Sequence, residues 1–283
     1  MNAVDVIDVA SMPWGPSMVP QRGGKMAHKR LFDGVEGSPD NYSFVLADES
    51  NEYVSPRHRH PWDQVRVCLS GAIPIGRTAT VEAGEIAYFP EGVSYGPQQG
   101  GVDRLVLLLQ FGGASRLGFL SFEQVSAARD ELARSGSFEQ GVYVRHSPAP
   151  GERAKQDGYE AVWEHVTGER LVYPEPTVRD PIVLRPAAFP WVAAGGAQHR
   201  ALGAFLPRGL SIDEWRVEPG RHLRLEPGRR RLLAFVSEGS GQVAGTRYDG
   251  HAAIRVEPGG AAELVVSAAT ELVVLTVDVL ADA

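Results

Sequence analysis

Two histidines one residue apart, His58 and His60, stand ahead of Gln64, Arg66 and Cys68, and the chain then reaches Pro90, Gly92 and Tyr95. Neutral imidazole is the commonest side-chain ligand of first-row divalent metals. On an extended segment, residues two apart share a face, so both rings can converge on one ion with Gln64, Arg66 and Cys68 on the same side. The Gln64 amide oxygen either coordinates without adding negative charge, or orients a water or substrate. Tyr95 reads in three ways: an anionic ligand beside a cation, a general acid or base, or a ring that closes the site with its hydroxyl satisfied locally. Arg66 inside a closed site needs an anion, either a protein carboxylate or an acidic or phenolic substrate. Cys68 reads as a packing residue, since nothing marks a partner base. Asp63 has the opposite parity and is expected to point away.

These residues lie in a region of short apolar and β-branched runs broken by Pro and Gly: YSFVLADE, DQVRVCL, EIAYF and RLVLLLQF. Such runs predict antiparallel strands over residues 42–112. From Ser121 to Ser135 the pattern changes to a helical one. Ser121 stands three residues before Gln124 as a capping box, and Phe122, Val125, Ala128 and Leu132 share one face. A second helix is expected from about Glu152 to Val166, with Tyr159, Val162, Trp163 and Val166 aligned despite Gly158. Strand-like runs resume at Gly203 and continue to Val279.

The two strand-rich regions carry the same punctuation at a constant offset of 168 residues, as between Gly71 and Gly239. Gly84, Pro90 and Gly92 fall on Ala252, Pro258 and Gly260; Thr78 and Ile86 fall on Thr246 and Ile254; the run Leu105 to Leu109 falls on Val273 to Val277, with no gap required. A spacing that aligns turns and apolar runs together marks a duplicated β module. At the positions of His58, His60, Gln64 and Tyr95 the second copy has Glu226, Gly228, Leu232 and Glu263. Gly and Leu cannot coordinate, so only the first copy is expected to hold a metal. The remaining histidines, such as His146 and His251, lack ligand spacing.

Composition bounds the function. With 283 residues, 43% hydrophobic and 22% charged, the chain suits about two domains on a prior of ~150 residues each. A net charge of −7 argues against nucleic acid as the main partner, and Arg229–Arg231 reads as a solvated turn. No run approaches the ~18 apolar residues of a membrane span, the N-terminus lacks the features of a signal peptide, and a single cysteine fits a reducing compartment. Cytoplasm is the expected location.

HxHx3Qx6G followed by Gx5PxGx2Y resembles the two signature motifs of the cupin superfamily, and the duplication resembles a two-cupin protein. The likeness covers roughly residues 42–112 and 203–279. It implies an all-β fold: two antiparallel, jelly-roll cupin barrels joined by a segment with one or two α-helices. The expected organisation is an N-terminal arm over 1–41, laid over the barrel or against a dimer partner, a first barrel over 42–115, a helical linker over 116–180 and a degenerate second barrel over 181–283. The resemblance implies one divalent transition metal (Fe, Mn, Ni or Zn) on His58, His60, Gln64 and Tyr95, with Tyr95 and Arg66 as catalytic residues. Gln64 departs from the family's Glu, and Tyr95 from its third His. The implied function is a metal-dependent, dioxygenase-like enzyme for a small organic, anionic or phenolic substrate. A metal-assisted lyase, a metal-free isomerase or epimerase using His and Tyr95, and a non-catalytic binding cupin are the alternatives. A homodimer is expected, with no nucleic-acid or membrane partner.

Overall fold

The computed structural model describes residues 3–17, 19–113, 119–205 and 209–280. It divides into two compact units, one of residues 14–184 and one of residues 1–13 with 185–283. Nearly all of the regular structure is antiparallel β, and no helix among the described residues is long and apolar enough to cross a membrane.

In the unit of residues 14–184, a six-stranded sheet runs in the order Ile182–Leu184, Ile86–Phe89, Trp62–Ser70, Arg104–Gly112, Tyr42–Glu49 and Met26–Asp33. Register decides which side chains meet. Gln64 lies opposite Gln110, Arg66 opposite Leu108, Cys68 opposite Val106 and Glu49 opposite Arg104. Directly opposed residues share a face, so these eight side chains all face one side of the sheet. Cys68 packs there with Ile73, Val81, Phe89 and Val106. Its thiol is pushed up to about 11, chiefly by burial, which suits packing rather than nucleophilic attack.

Two helices cover the same unit. Helix α1, Phe122–Leu132, starts at Ser121 with the expected capping box to Gln124. Helix α2, Gly158–Thr167, begins later than the periodicity predicts, because Lys155–Asp157 forms a strand and Asp157 caps the helix through the Tyr159 and Glu160 amides. Gly158 is therefore a first-turn residue and costs the helix little. Between the helices lies a three-stranded sheet, Gly136–Glu139, Val142–Arg145 and Lys155–Asp157, that carried no clear strand signal. Both helices bury their apolar faces against Trp62 and Tyr143.

The expected arm over 1–41 is divided in the structure. Val4–Asp8 pairs with Ala252–Val256, whereas Met26–Asp33 is an edge strand beside Tyr42–Glu49. Likewise Ile182–Leu184, expected in the second barrel, pairs with Ile86–Phe89 of the first.

In the other unit, a nine-stranded sheet includes Leu210–Val217, Arg231–Val243, Ala252–Val256 and Ala262–Val277. The repeat is closest at Leu210–Val217, which stands 168 residues beyond Tyr42–Glu49. It is not gapless in pairing. Val65 faces Leu109, but Leu233 faces Leu275 rather than Val277, so the last strand has slipped by two residues, which preserves the facing of every side chain. The interior is filled by Leu232, Ala234, Val236, Ile254, Leu264, Leu272 and Val274. Glu226 and Glu263 are exposed and paired with Arg224 and His222.

Candidate functional site

His58 and His60 precede the strand rather than lying within it, since the strand begins at Trp62. Their backbone is fixed instead by the segment that carries Tyr95. His58 and Tyr95 exchange both amide hydrogen bonds, at 3.0 and 2.9 Å, and the Gly92 amide donates to the His60 carbonyl at 2.8 Å. Gly92 has φ +78°, and a Cβ there would lie 2.4 Å from the Pro174 carbonyl oxygen, so the Pro-x-Gly turn requires glycine at this position. Asp63 faces away from the histidines, as its parity predicts, and accepts from the Glu91 amide at 2.8 Å within the same turn.

The side chains converge. The rings of His58 and His60 are 4.8 Å apart, and that of Tyr95 lies 4.4 Å from His58. Nε2 of His60 is 2.8 Å from the Tyr95 hydroxyl, and the Gln64 amide nitrogen donates to the same oxygen at 3.3 Å. Gln64 Oε1 accepts from Gln110 at 2.8 Å, so both ends of this amide are used within the protein. Gln64 is thus hydrogen-bonded to both Tyr95 and Gln110, with one lone pair of its Oε1 used by Gln110. Nδ1 of His58 is 2.7 Å from the Pro56 carbonyl, which can only accept, so the proton sits on Nδ1 and Nε2 carries a lone pair.

All of these groups are buried. Burial first, then Arg22 and Arg66, holds His58 well below the ordinary imidazole value; His60 is depressed by burial, by His58 and by the same two arginines. Both rings are neutral at pH 7. The Tyr95 phenol is pushed up by burial, against the pull of Arg66 and the Gln64 amide. Arg66 is 5% exposed, its Nη1 stands 3.6 Å from Glu49, beyond hydrogen-bond distance, and its Nε and Nη1 have no hydrogen-bond partner. Glu49 is instead held at 2.6 Å by the fully buried Arg104.

The cavity bounded by these residues gives the centres of water-sized molecules about 50 Å³. His58, His60, Arg66 and Tyr95 line it, Gln64 does not, and Arg22, Tyr53, Gln110 and Tyr159 join them. Gln110 had a legible signal, a lone amide at an inward position of the run LVLLLQF. Arg22 had none: it comes from an unpatterned stretch and is held by Asp157 at 2.6 Å, 135 positions away. Among the described residues, no group of three His, Cys, Asp or Glu is placed to hold a metal.

No protein-family model matches the chain, and no curated protein matches it in sequence. Solved structures do match in shape. A putative dioxygenase from Nostoc punctiforme PCC 73102 aligns over 99% of this chain and 84% of its own, with TM-score 0.62 and 13% identity. A point mutant of Bacillus subtilis oxalate decarboxylase OxdC aligns over 98% and 78%, with TM-score 0.56 and 12% identity. Streptomyces albus HEPD, with 2-hydroxyethylphosphonate and Fe(II) bound, aligns over 99% and 77%, with TM-score 0.56 and 14% identity. These neighbours are cupin-fold proteins, and the all-β, antiparallel chain described above has the cupin fold.

Proposed function

We propose that this chain is a two-cupin enzyme with one working site, in which His58, His60 and Tyr95 hold a divalent transition metal and a small anionic molecule is the substrate. The observation that carries this reading is the donor set. His58 offers a lone-pair Nε2 whose ring is braced through Nδ1, the arrangement typical of metal-ligating histidines. Nε2 of His60 and the Tyr95 oxygen stand 2.8 Å apart. Neighbouring ligands of a first-row ion are separated by about 3 Å when their bonds are about 2.1 Å long. The residues fit such an ion, although the neutral amide at Gln64 and the two arginines weaken its hold. Structural relatives add support: the HEPD structure contains Fe(II), and Mn(II) centres are described for oxalate decarboxylase.

Such an ion, bound by three protein groups, supplies a Lewis acid with open positions for substrate or dioxygen. The protein's own groups do the rest. The Gln64 amide donates to the Tyr95 oxygen and favours its phenolate form. Depressed basicity keeps both imidazoles free of protons and available as ligands. Trp62 and Tyr159 pack against the His60 ring, at 4.1 and 6.1 Å, and exclude water from it.

One observation favours a second reading, acid–base chemistry without metal. His60 and Tyr95 already form a hydrogen-bonded couple able to exchange a proton, and no third strong ligand among the described residues joins them. Elemental mass spectrometry on wild type and on a His58→Ala/His60→Ala variant separates the two. Near one equivalent of a transition metal in wild type, lost in the variant, supports the metal enzyme. No metal retained after anaerobic reconstitution overturns it and leaves the acid–base reading.

A further inference from the structure

A second and larger space opens in the unit of residues 14–184. It gives the centres of water-sized molecules about 600 Å³. Tyr95 is the one described residue that lines both spaces, and none of His58, His60, Gln64 and Arg66 borders the larger one. Exposed Arg57, Arg77 and Asp180 line it, together with the more deeply set Ile75, Pro97 and Val183. We infer that this cleft binds a small phosphate monoester, its phosphoryl group between Arg57 and Arg77 and its organic body against Ile75, Pro97 and Val183. The inference goes beyond the metal reading and does not rest on it.

Backbone contacts bring the two arginines to one place. The Gly96 amide donates to the Ile75 carbonyl at 2.8 Å, and the Ile75 amide donates to the Ala79 carbonyl at 2.9 Å. The turn that carries Arg77 is therefore closed on itself and pinned to the segment of Tyr95. Arg57 reaches the same segment from the other direction: His58 pairs with Tyr95, and a Cβ built on Gly96 would lie 3.4 Å from the Arg57 Cα. Both side chains are thus rooted around Gly96 on backbone that is already fixed. Among the described residues neither guanidinium has an ion-pair or hydrogen-bond partner, and Asp180 has none either. The cleft carries two unneutralised cations against one carboxylate.

Two guanidiniums select the anion. One arginine suffices for a carboxylate, which it binds through two parallel hydrogen bonds. A phosphate monoester presents three terminal oxygens and a charge of about −1.5 to −2 at pH 7, so it engages both forks at once. Size and polarity select the rest of the molecule. A space of about 600 Å³ lies within the roughly 300–1,000 Å³ of small-molecule pockets and far exceeds a bare phosphate. An organic body that covers Ile75, Pro97 and Val183 gains hydrophobic free energy that inorganic phosphate cannot. Asp180 opposes a second anionic group, so the matching ligand has one phosphate on an uncharged body.

Titration calorimetry on chelator-stripped protein, in which no metal competes for phosphate, tests this with phenyl phosphate, phenol, benzoate and inorganic phosphate. Phenyl phosphate is expected to bind about tenfold or more tightly than phenol, and more tightly than benzoate or inorganic phosphate. Arg57→Gln/Arg77→Gln changes two exposed side chains and so keeps the fold. It is expected to weaken phenyl phosphate by about tenfold or more. Arg221→Gln/Arg229→Gln removes the same charge from exposed positions in the other unit and is expected to bind as wild type does. Phenol, benzoate or inorganic phosphate binding as tightly as phenyl phosphate overturns the inference. So does unchanged affinity in Arg57→Gln/Arg77→Gln, an equal loss in Arg221→Gln/Arg229→Gln, or no binding of any probe. Metal content is measured separately, so failure here in a protein that retains metal leaves the metal site standing. Phenyl phosphate binding by a protein that retains none supports the inference while the metal reading falls.

Discussion

His60 Nε2 and the Tyr95 hydroxyl are 2.8 Å apart although the residues are separated by 35 positions, and the backbone contact between His58 and Tyr95 sets that distance. Tyr95→Phe removes one oxygen and keeps the ring, which rests 4.5 Å from Phe89 and 4.4 Å from His58. His60 Nε2 and the Gln64 amide then lose their shared partner inside a closed site, a loss of about 1–3 kcal/mol. Urea unfolding is expected to show that destabilisation, and metal content is expected to drop. Wild-type metal content in Tyr95→Phe would remove the phenol from the ligand set.

Gln64→Glu tests the neutral amide. One carboxylate oxygen can accept from Gln110, which already donates to this side chain at 2.8 Å, and the other faces Tyr95. The added negative charge lies beside the proposed ion and offsets the repulsion from Arg66. Metal retention against a competing chelator is expected to improve at least about tenfold, a modest fraction of the Coulomb energy of such a pair at intermediate dielectric. Unchanged retention would place the ion away from this side chain.

Acid sensitivity follows from the two depressed imidazoles. In the metal-free protein, His58 and His60 have folded-state pKa values well below the 6.5 of the unfolded chain. The unfolded state therefore binds more protons as the pH falls. Stability is full above about 6.5 and is lost below it, by up to about 1.4 kcal/mol per pH unit for each ring, until the folded-state pKa is reached. Urea melts at pH 7.5 and 5.5 are expected to show this loss, and a His58→Gln/His60→Gln variant is expected to show a shallower one. Equal slopes in the two proteins would mean that the rings are not buried as neutral groups.

What was legible in the sequence is what short-range physics controls. Pro90 and Gly92 announce a turn only glycine can make, Ser121 and Gln124 announce a capped helix, and strand parity places Gln64, Arg66 and Cys68 on one face. The rest depends on contacts between distant segments. Arg22 enters the site only because Asp157, a helix cap, reaches back to it. Glu49 reads as the end of a strand until register sets it opposite Arg104. Gln64 meets Gln110 only because register sets the two opposite one another, and no local pattern reports the orientation of an amide.

Leu232 tests whether the second copy contributes chemistry. It stands at the position of Gln64, 4% exposed, and packs among Ala234, Ile254, Leu264 and Val274, where the first copy has Arg66, Tyr95 and a cavity. A close-packed apolar interior leaves no room for a ligand, and truncating one of its side chains costs transfer energy plus the cavity left behind. Leu232→Ala is expected to destabilise the protein by about 2–5 kcal/mol in urea unfolding. Metal content at the first site is expected to stay at the wild-type level under native conditions. A variant that keeps its stability but loses metal would show that the second copy holds part of the working site, and that the filled interior is not merely structural.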